Sequence, residues 1–591
     1  MTINDYYMQE LNSLRVLGSE FSIKNPGLAP YLAKEGQDPD VERMLEGFAF
    51  LTGRLRQQLE EELPEVAHTL THLLWPNYIR PIPSYCIVAY EPLLDGSTKE
   101  IIPKNTQVAG ETKENKIICR FRTCFETQVY PMSISVNNYF VIGNKSQLEI
   151  DFSLLANHSL DKVPIDKLRL FINGSRFLSQ ELYLYFMEYI NKIEVELYDI
   201  NENILYTFNL PQKNTISSVG FNQEERIVPY PDNVFDGYIA LQEYFSFEQK
   251  YLFLDINNLD KLHDINQDIL SQSVKFKIKF HFDKKLASTL TIPKETFTLF
   301  CTPVVNLFEA NAVPIRKNNY QEEYLLIASE YERIDTEVFA VEGARGWKTS
   351  KNTYENFLPF ESFNYSDFEE YYSVRIKLSD DGERTQSYIK FSSPDGVFEQ
   401  LDNKHSTVSV RLLCTNSNLP SLLSLGNINI ADPHSQYSNL KFKNITIPTT
   451  SYPPPIGNDF LWRMISNMSL NYLSLTDIKT LITILSTYDF LGSYDIKVKK
   501  KNALMFKGLV SIQHTKTEMI LEGYPIRGIK THLEIDVSKF SNIGEAYLLC
   551  SVLNEFFALY CNINSFHILE AKMIDYDIFH WSPRIGYQQV I

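Results

Sequence analysis

Val274-Lys275-Phe276-Lys277-Ile278-Lys279-Phe280-His281-Phe282 alternates apolar and polar residues over nine positions. Successive side chains of a strand point to opposite faces, so Val274, Phe276, Ile278, Phe280 and Phe282 form one apolar face, and the three lysines with His281 form a wet one. A lysine face of this kind also resists pairing at a sheet edge. The same period of two runs outward in both directions. Upstream, Leu168, Leu170 and Ile172 alternate with Lys167, Arg169 and Phe171, and Ile193, Val195 and Leu197 alternate with Lys192, Glu194 and Glu196. Downstream, Tyr372, Val374, Ile376 and Leu378 lead into Asp380-Asp381-Gly382-Glu383 and then Tyr388-Ile389-Lys390-Phe391, which reads as a hairpin or meander. Clean alternation with polar turns predicts antiparallel sheets rather than a parallel α/β core.

The period changes at both ends of the chain. Before residue 81 it is helical. Tyr7, Leu11, Leu14, Leu17 and Phe21 share a face, and Pro26-Gly27 stops the run. A second helix is capped by Asp38 with Pro39 in its first turn. Its stripe is Val41, Met44, Leu45, Phe48, Leu51, Leu55 and Leu59, at spacings of three and four, and Pro64 ends or bends it. About three heptads suffice to engage a helical partner, so these seven residues are the candidate partner interface; packing within their own domain is the competing reading. Near residue 450, Thr449-Thr450-Ser451-Tyr452-Pro453-Pro454-Pro455 reads as a stiff extended linker. Beyond it come a helix stripe (Phe460, Leu461, Met464, Ile465, Met468, Tyr472), a second with Ile478, Leu481, Ile482 and Leu485, and a strand at Leu533–Val537. The last long helix starts at Asn542 with Glu545 in capping-box spacing. Glu545 and Glu555 are its only charges up to Tyr560, so it is buried, in its own domain or in an assembly. The predicted class is α+β, in four parts: a helical N-terminal region (1–80), two antiparallel β-rich middle lobes (81–295 and 296–450) and an α+β C-terminal domain (451–591).

Composition bounds the function. At 591 residues, with 44% hydrophobic and 22% charged side chains, the chain reads as globular, and scaling predicts that ~78% of its unfolded surface is buried on folding. Aromatics reach 13%, as in strand-rich or interface-rich proteins. A net charge of −17 gains nothing from a nucleic-acid backbone and is repelled by anionic lipid. The longest uncharged stretch, Leu412–Ala431, holds three asparagines before residue 428, a fourth at 429, Pro420 and Gly426, and does not read as a membrane span. The N-terminus shows no signal-peptide pattern. Seven scattered cysteines without a CxxC fit a cytosolic chain with reduced thiols.

No phosphate loop, dinucleotide fingerprint, nucleophile elbow, HExxH or EF-hand loop is found, so no catalytic, cofactor or metal residue is assigned. Three weaker constellations read better as structure. His68 and His72 are four apart but have no third ligand. Cys119 and Cys124 flank Arg120-Phe121-Arg122-Thr123 without two further ligands, and read as buried thiols. Asp380, Asp381 and Glu383 read as a turn before they read as a calcium site.

A series of ordered blocks carries a resemblance. They include Asp38-Pro39-Asp40-Val41-Glu42-Arg43-Met44-Leu45-Glu46-Gly47-Phe48, Tyr78-Ile79-Arg80-Pro81-Ile82-Pro83, Cys119-Arg120-Phe121-Arg122-Thr123 and Gln242-Glu243-Tyr244-Phe245. Further along stand Cys301-Thr302-Pro303-Val304-Val305-Asn306-Leu307-Phe308, Leu412-Leu413-Cys414-Thr415-Asn416, Leu461-Trp462-Arg463-Met464 and Trp581-Ser582-Pro583-Arg584. Together they resemble the TssF family (also VasA or ImpG), baseplate wedge subunits of the type VI secretion system. One departure is Asp40, where the family pattern often has His. The resemblance implies a non-enzymatic cytoplasmic protein, two copies of which join one TssG. It implies TssK and TssE as further partners, six wedges around a VgrG spike, contact with neighbouring wedges, and docking on the inner face of the membrane complex without insertion. The readings left beside it are a β-rich binding module that uses exposed aromatics and a glycan-active hydrolase with unplaced carboxylates.

Overall fold

A computed structural model describes residues 7–8, 11–14, 43–54, 70–72, 75–454 and 477–586, apart from 95–97, 114–115, 157, 231–235, 288–289, 318–320, 330, 332–334, 349–352, 361–370, 380–383, 393–404, 433–439, 522, 559–560 and 562–563. The chain divides into two units. One comprises Met1–Trp75 with Ile456–Met468, and the other Pro76–Pro455 with Ser469–Ile591. The described parts of the first unit are helical, with the longest run at 43–54.

The second unit is built on sheets. Its central six-stranded sheet runs, in order, Ile428–Ala431, Gln107–Glu111, Ile118–Thr123, Cys301–Val305, Tyr85–Tyr90 and Phe442–Asn444. Every residue of Tyr85–Tyr90 and of Cys301–Val305 is buried, because this pair lies in the middle of the sheet. A seven-stranded sheet is assembled from residues 308–415 around the long pair Glu337–Lys348 and His405–Thr415. Tyr371–Leu378 and Thr385–Ser392 form the expected hairpin, in the register Tyr371↔Ser392 to Leu378↔Thr385. Its turn acids, Asp380, Asp381 and Glu383, lie outside the described residues.

The lysine strand, Lys275–Phe282, is not at an edge. It is the middle of a five-stranded antiparallel sheet, between Ile190–Tyr198 and Lys145–Leu154. The reason is opposite charge in register. Lys277 stands across from Asp151 and Glu196, and Lys279 across from Glu149 and Glu194. Lys277 Nζ reaches Glu149 at 2.8 Å, Lys279 Nζ reaches Glu196 at 2.6 Å and Lys275 Nζ reaches Asp151 at 3.1 Å. Cross-strand pairs of opposite charge stabilise a sheet where like charges would split it. The opposite face is core: Phe276 stacks on Phe152 with ring centroids 4.8 Å apart.

Helix α1 (Arg176–Glu188) lays Phe186 edge-on against Phe280 and Phe282 of that face. Helix α2 (Asp236–Ser246) follows, and after the sheets come α3 (Ile478–Tyr488), α4 (Phe490–Tyr494), α5 (Ile496–Lys507) and α6 (Ile543–Ala558). All sixteen residues of α6 are buried, and the cover comes from this chain. Tyr547 meets Tyr183 of α1, Phe556 meets Tyr238 of α2, and Phe557 meets His567 of the strand Phe566–Met573. Each large apolar side chain buried there contributes about 1.5–3 kcal/mol, which explains a helix without a polar face. The cap is a variant of the expected box. The Glu545 N–H donates to Asn542 Oδ1 at 2.7 Å, but the Glu545 carboxylate accepts from Ser541 N–H. Strands Tyr524–Ile535 and Phe566–Met573, joined through α6, are parallel; Leu509–Leu521 pairs antiparallel beside them.

The stretch expected as a linker is extended but held. Ile82 and Tyr452 exchange backbone hydrogen bonds of 2.8 and 3.1 Å, and Thr449 N–H donates to the Tyr85 carbonyl. Ser451, Pro453 and Pro454 are buried. A proline-rich run without donors of its own suits an extra edge strand as well as it suits a spacer.

Candidate assembly interface

Four of the seven stripe residues lie in the described helix 43–54. Met44 is 76% exposed, Phe48 58% and Leu51 60%, while Leu45 is half-buried. Val41, Leu55 and Leu59 lie outside the described residues. The buried side of the helix is made by Ala49 and Gly53 instead. Met44, Phe48 and Leu51 follow i, i+4, i+7, one face of a helix. The helix thus leaves three large apolar side chains in water on one face.

The other singled-out residues are structural. Cys119 and Cys124 are buried, and burial pushes both thiols up to about 12. All seven cysteines are unpaired and buried. His68 lies outside the described residues. Among the described residues no group of three or more His, Cys, Asp or Glu is disposed to hold a metal ion, and no helix is long and apolar enough to cross a membrane.

Several of the ordered sequence blocks described in the second unit meet at junctions between sheets and helices. Asn306 and Asn416 join the six- and seven-stranded sheets. Asn416 N–H donates to Asn306 Oδ1 at 2.7 Å, and Asn306 Nδ2 donates to Asn416 Oδ1 at 2.9 Å and to the Arg120 carbonyl at 2.7 Å. Arg120 N–H closes the ring on Asn416 Oδ1 at 3.0 Å. Tyr78 donates to the Thr487 carbonyl and sits edge-on to Phe490, 4.9 Å between centroids. Glu243 is buried in an ion pair with Lys250 and accepts from Ile227 N–H at 2.8 Å. Trp581 stacks on Tyr547 and donates to Ser551, and Arg584 pairs with Glu555 at 2.5 Å. Asparagine, arginine and tryptophan at these places satisfy polar groups at buried seams.

The sequence pattern of the family described as "Type VI secretion system, TssF" matches residues 1–588, nearly the whole chain. The chain belongs to the TssF family. TssF1 of Pseudomonas aeruginosa is 26% identical over 613 residues, covering 95% of each protein. Among solved structures, a chain of the type VI secretion system TssK-TssF-TssG baseplate subcomplex superposes with a TM-score of 0.77 at 25% identity, covering 93% of this chain and 99% of that one. A chain of the structure described as the baseplate complex from the type VI secretion system gives 0.62 at 23% identity over the full length of both, a likeness of fold.

Surfaces that the pattern did not single out are also apolar. Ile447, Ile496 and Leu504 are exposed on the second unit, as are Ile520 and Tyr524 around the tip of the Leu509–Leu521 hairpin. The only sequence signal for Ile496 and Leu504 is their place among the lysines of α5, which reads as an ordinary amphipathic helix.

Proposed function

We propose that this TssF-family chain is a structural, non-enzymatic wedge subunit of a type VI baseplate, working in the cytoplasm against the inner face of the membrane. In this reading two copies join one TssG, with TssK and TssE completing a wedge and six wedges enclosing a VgrG spike. Contacts with neighbouring wedges and, indirectly, with the membrane complex follow assembly. The wedge then templates the tube and sheath. The observation that carries the reading is the exposed face of Met44, Phe48 and Leu51 on a chain matched by the family over residues 1–588. The solved TssK-TssF-TssG subcomplex, one chain of which this chain resembles, supports the choice of partners.

The stripe 41–59 is the proposed contact with TssG and with the second copy. Several moderate interfaces on one rigid chain act at high effective concentration, so a wedge assembles more tightly than any single pair. Two copies beside one TssG occupy unequal surroundings, so the stripe meets two kinds of surface. The segments 1–80, 81–295, 296–450 and 451–591 are proposed as the parts that share out these contacts. The test is Met44→Asp with Phe48→Asp. Both positions are exposed, so the thermal midpoint of the free chain stays within a degree or two. Co-purification with TssG from the same genome falls at least tenfold. Binding at wild-type strength contradicts the assignment.

A further inference from the structure

The five-stranded sheet ends in the strand Ile204-Leu205-Tyr206-Thr207-Phe208-Asn209-Leu210, which among the described residues pairs with Ile190–Tyr198 alone. The outer side of such a strand is a row of backbone N–H and C=O groups open to one further strand. Two other long edge strands carry protection. At the opposite edge of the same sheet, Asn137 of Met132–Ile142 donates its side-chain amide to the Pro293 and Lys294 carbonyls at 3.1 and 3.2 Å. The edge strand Leu509–Leu521 carries Lys516 and Glu518. Charge, cover and proline are the usual means of keeping an edge from pairing. Ile204–Leu210 has no charge and no proline. A bulge at Leu205 bends its start, and from Tyr206 onward the register is regular.

The side chains of this edge continue the core face of the sheet. Tyr206 stands opposite Leu197 and Phe208 opposite Val195, and residues directly opposite share a face. Leu197 and Val195 are fully buried, whereas Tyr206 is 41% exposed and Phe208 half-buried, with their rings 6.1 Å apart. The apolar face therefore runs on past the end of its cover.

From this we infer that the edge pairs with the same strand of a second copy of this chain, about a twofold axis at Thr207. A twofold axis makes the pairing antiparallel and the contact self-complementary. Centred on Thr207, it sets Tyr206 of each copy opposite Phe208 of the other. Aromatic cross-strand pairs stabilise a sheet, and here they join Val195, Phe208, Tyr206 and Leu197 into one apolar row across both copies. On the other face Thr207 meets Thr207 and Leu205 meets Asn209, so no like charges are opposed. Ile204 and Leu210 fall at the two ends of the pairing. An uncharged strand also has nothing with which to select a charged peptide instead. Seven residues span about 24 Å, a small contact beside the roughly 1,200–2,000 Å² of stable complexes. The pairing is therefore weak between free chains and takes effect where an assembly holds two copies together. It is separate from the helix 43–54, and it rests on the wedge reading only for bringing the copies together.

The test is cysteine cross-linking of the full chain, alone and at its highest soluble concentration. The seven native cysteines are buried. Thr207 is exposed, and Thr207→Cys sets two thiols opposite each other at a Cα separation of about 4.5–5.5 Å, within the reach of a disulfide. Under mild oxidation this variant is expected to form a disulfide dimer at least tenfold faster than Ile200→Cys. Ile200 is 81% exposed but precedes the strand, so it reports chance collision. Charge supplies a second arm, read by sedimentation velocity. Thr207→Glu chains and Thr207→Lys chains are each expected to stay monomeric, and a mixture of the two to associate. Equal cross-linking rates for the two cysteine variants, or a mixture no more associated than its parts, overturns the proposal. Loss of TssG binding by Thr207→Glu with self-association unchanged would assign the edge to that partner and overturn it as well. The cross-linking and mixing arms contain no TssG, so failure there and failure of the wedge reading are separate results.

Discussion

Asn416 shows how much one side chain can hold. Its amide and backbone take part in bonds to Asn306, Arg120 and the Asp335 carbonyl, at the seam between two sheets. Replacing it by alanine takes the acceptor from the Arg120 N–H and from one of the two Asn306 Nδ2 hydrogens, and the donor from the Asp335 carbonyl. Each orphaned group costs about 1–3 kcal/mol, so Asn416→Ala should lower unfolding free energy by about 2–4 kcal/mol in a urea titration. Asn306 and Asn416 stand out in the sequence as members of the ordered blocks that carry the resemblance. Their pairing across 110 residues does not, because nothing local announces which amide faces which. Glu181 makes a second residue-scale case. Burial pushes its carboxyl up to about 7, against the opposing bond from the Gly544 backbone. A raised folded-state pKa means that this contribution is fully present below the unfolded value near 4.5 and is lost as pH rises through about 7. The span corresponds to on the order of 3 kcal/mol. Glu181→Gln should therefore flatten the fall in thermal midpoint between pH 5 and pH 7.5. A variant with the wild-type slope would place the proton elsewhere.

At the scale of elements, alternation and helical period were legible because they depend on near neighbours. The apolar face of the lysine strand and the hairpin at 371–392 follow directly from them. The position of that strand in the middle of its sheet does not, since it depends on carboxylates of two strands distant in sequence meeting the lysines in register. The fully apolar character of α6 was equally plain, and the identity of its cover was not: α1, α2 and a parallel strand pair converge on it. Gly544 measures how closely they do. A Cβ placed there would stand 2.2 Å from the Gln180 carbonyl oxygen of α1, against backbone that has nowhere to go. Gly544→Ala should force the two helices apart and cost several kcal/mol, within the usual range for overpacking or beyond it. The check is the urea midpoint of the full chain. An unchanged midpoint would mean that the α1–α6 crossing is looser than this distance allows.

For the whole molecule, several family blocks described in the second unit form internal seams, and apolar side chains stand exposed on the helix 43–54 and on α5. Among the described residues no group of His, Cys, Asp or Glu gathers to hold a metal ion. The stripe was legible as a periodicity, but whether it faced inward could not be read from one sequence, because an apolar helix face looks the same against its own core and against a partner. In the described part Met44, Phe48 and Leu51 are exposed and Leu45 is half-buried. The central claim, that this chain builds a wedge with TssG, is tested most directly by multi-angle light scattering on the chain co-purified with TssG from the same genome. The account predicts one stable species whose mass equals two copies of this chain plus one TssG. A chain that elutes alone at the mass of a well-behaved monomer and ignores TssG would contradict it.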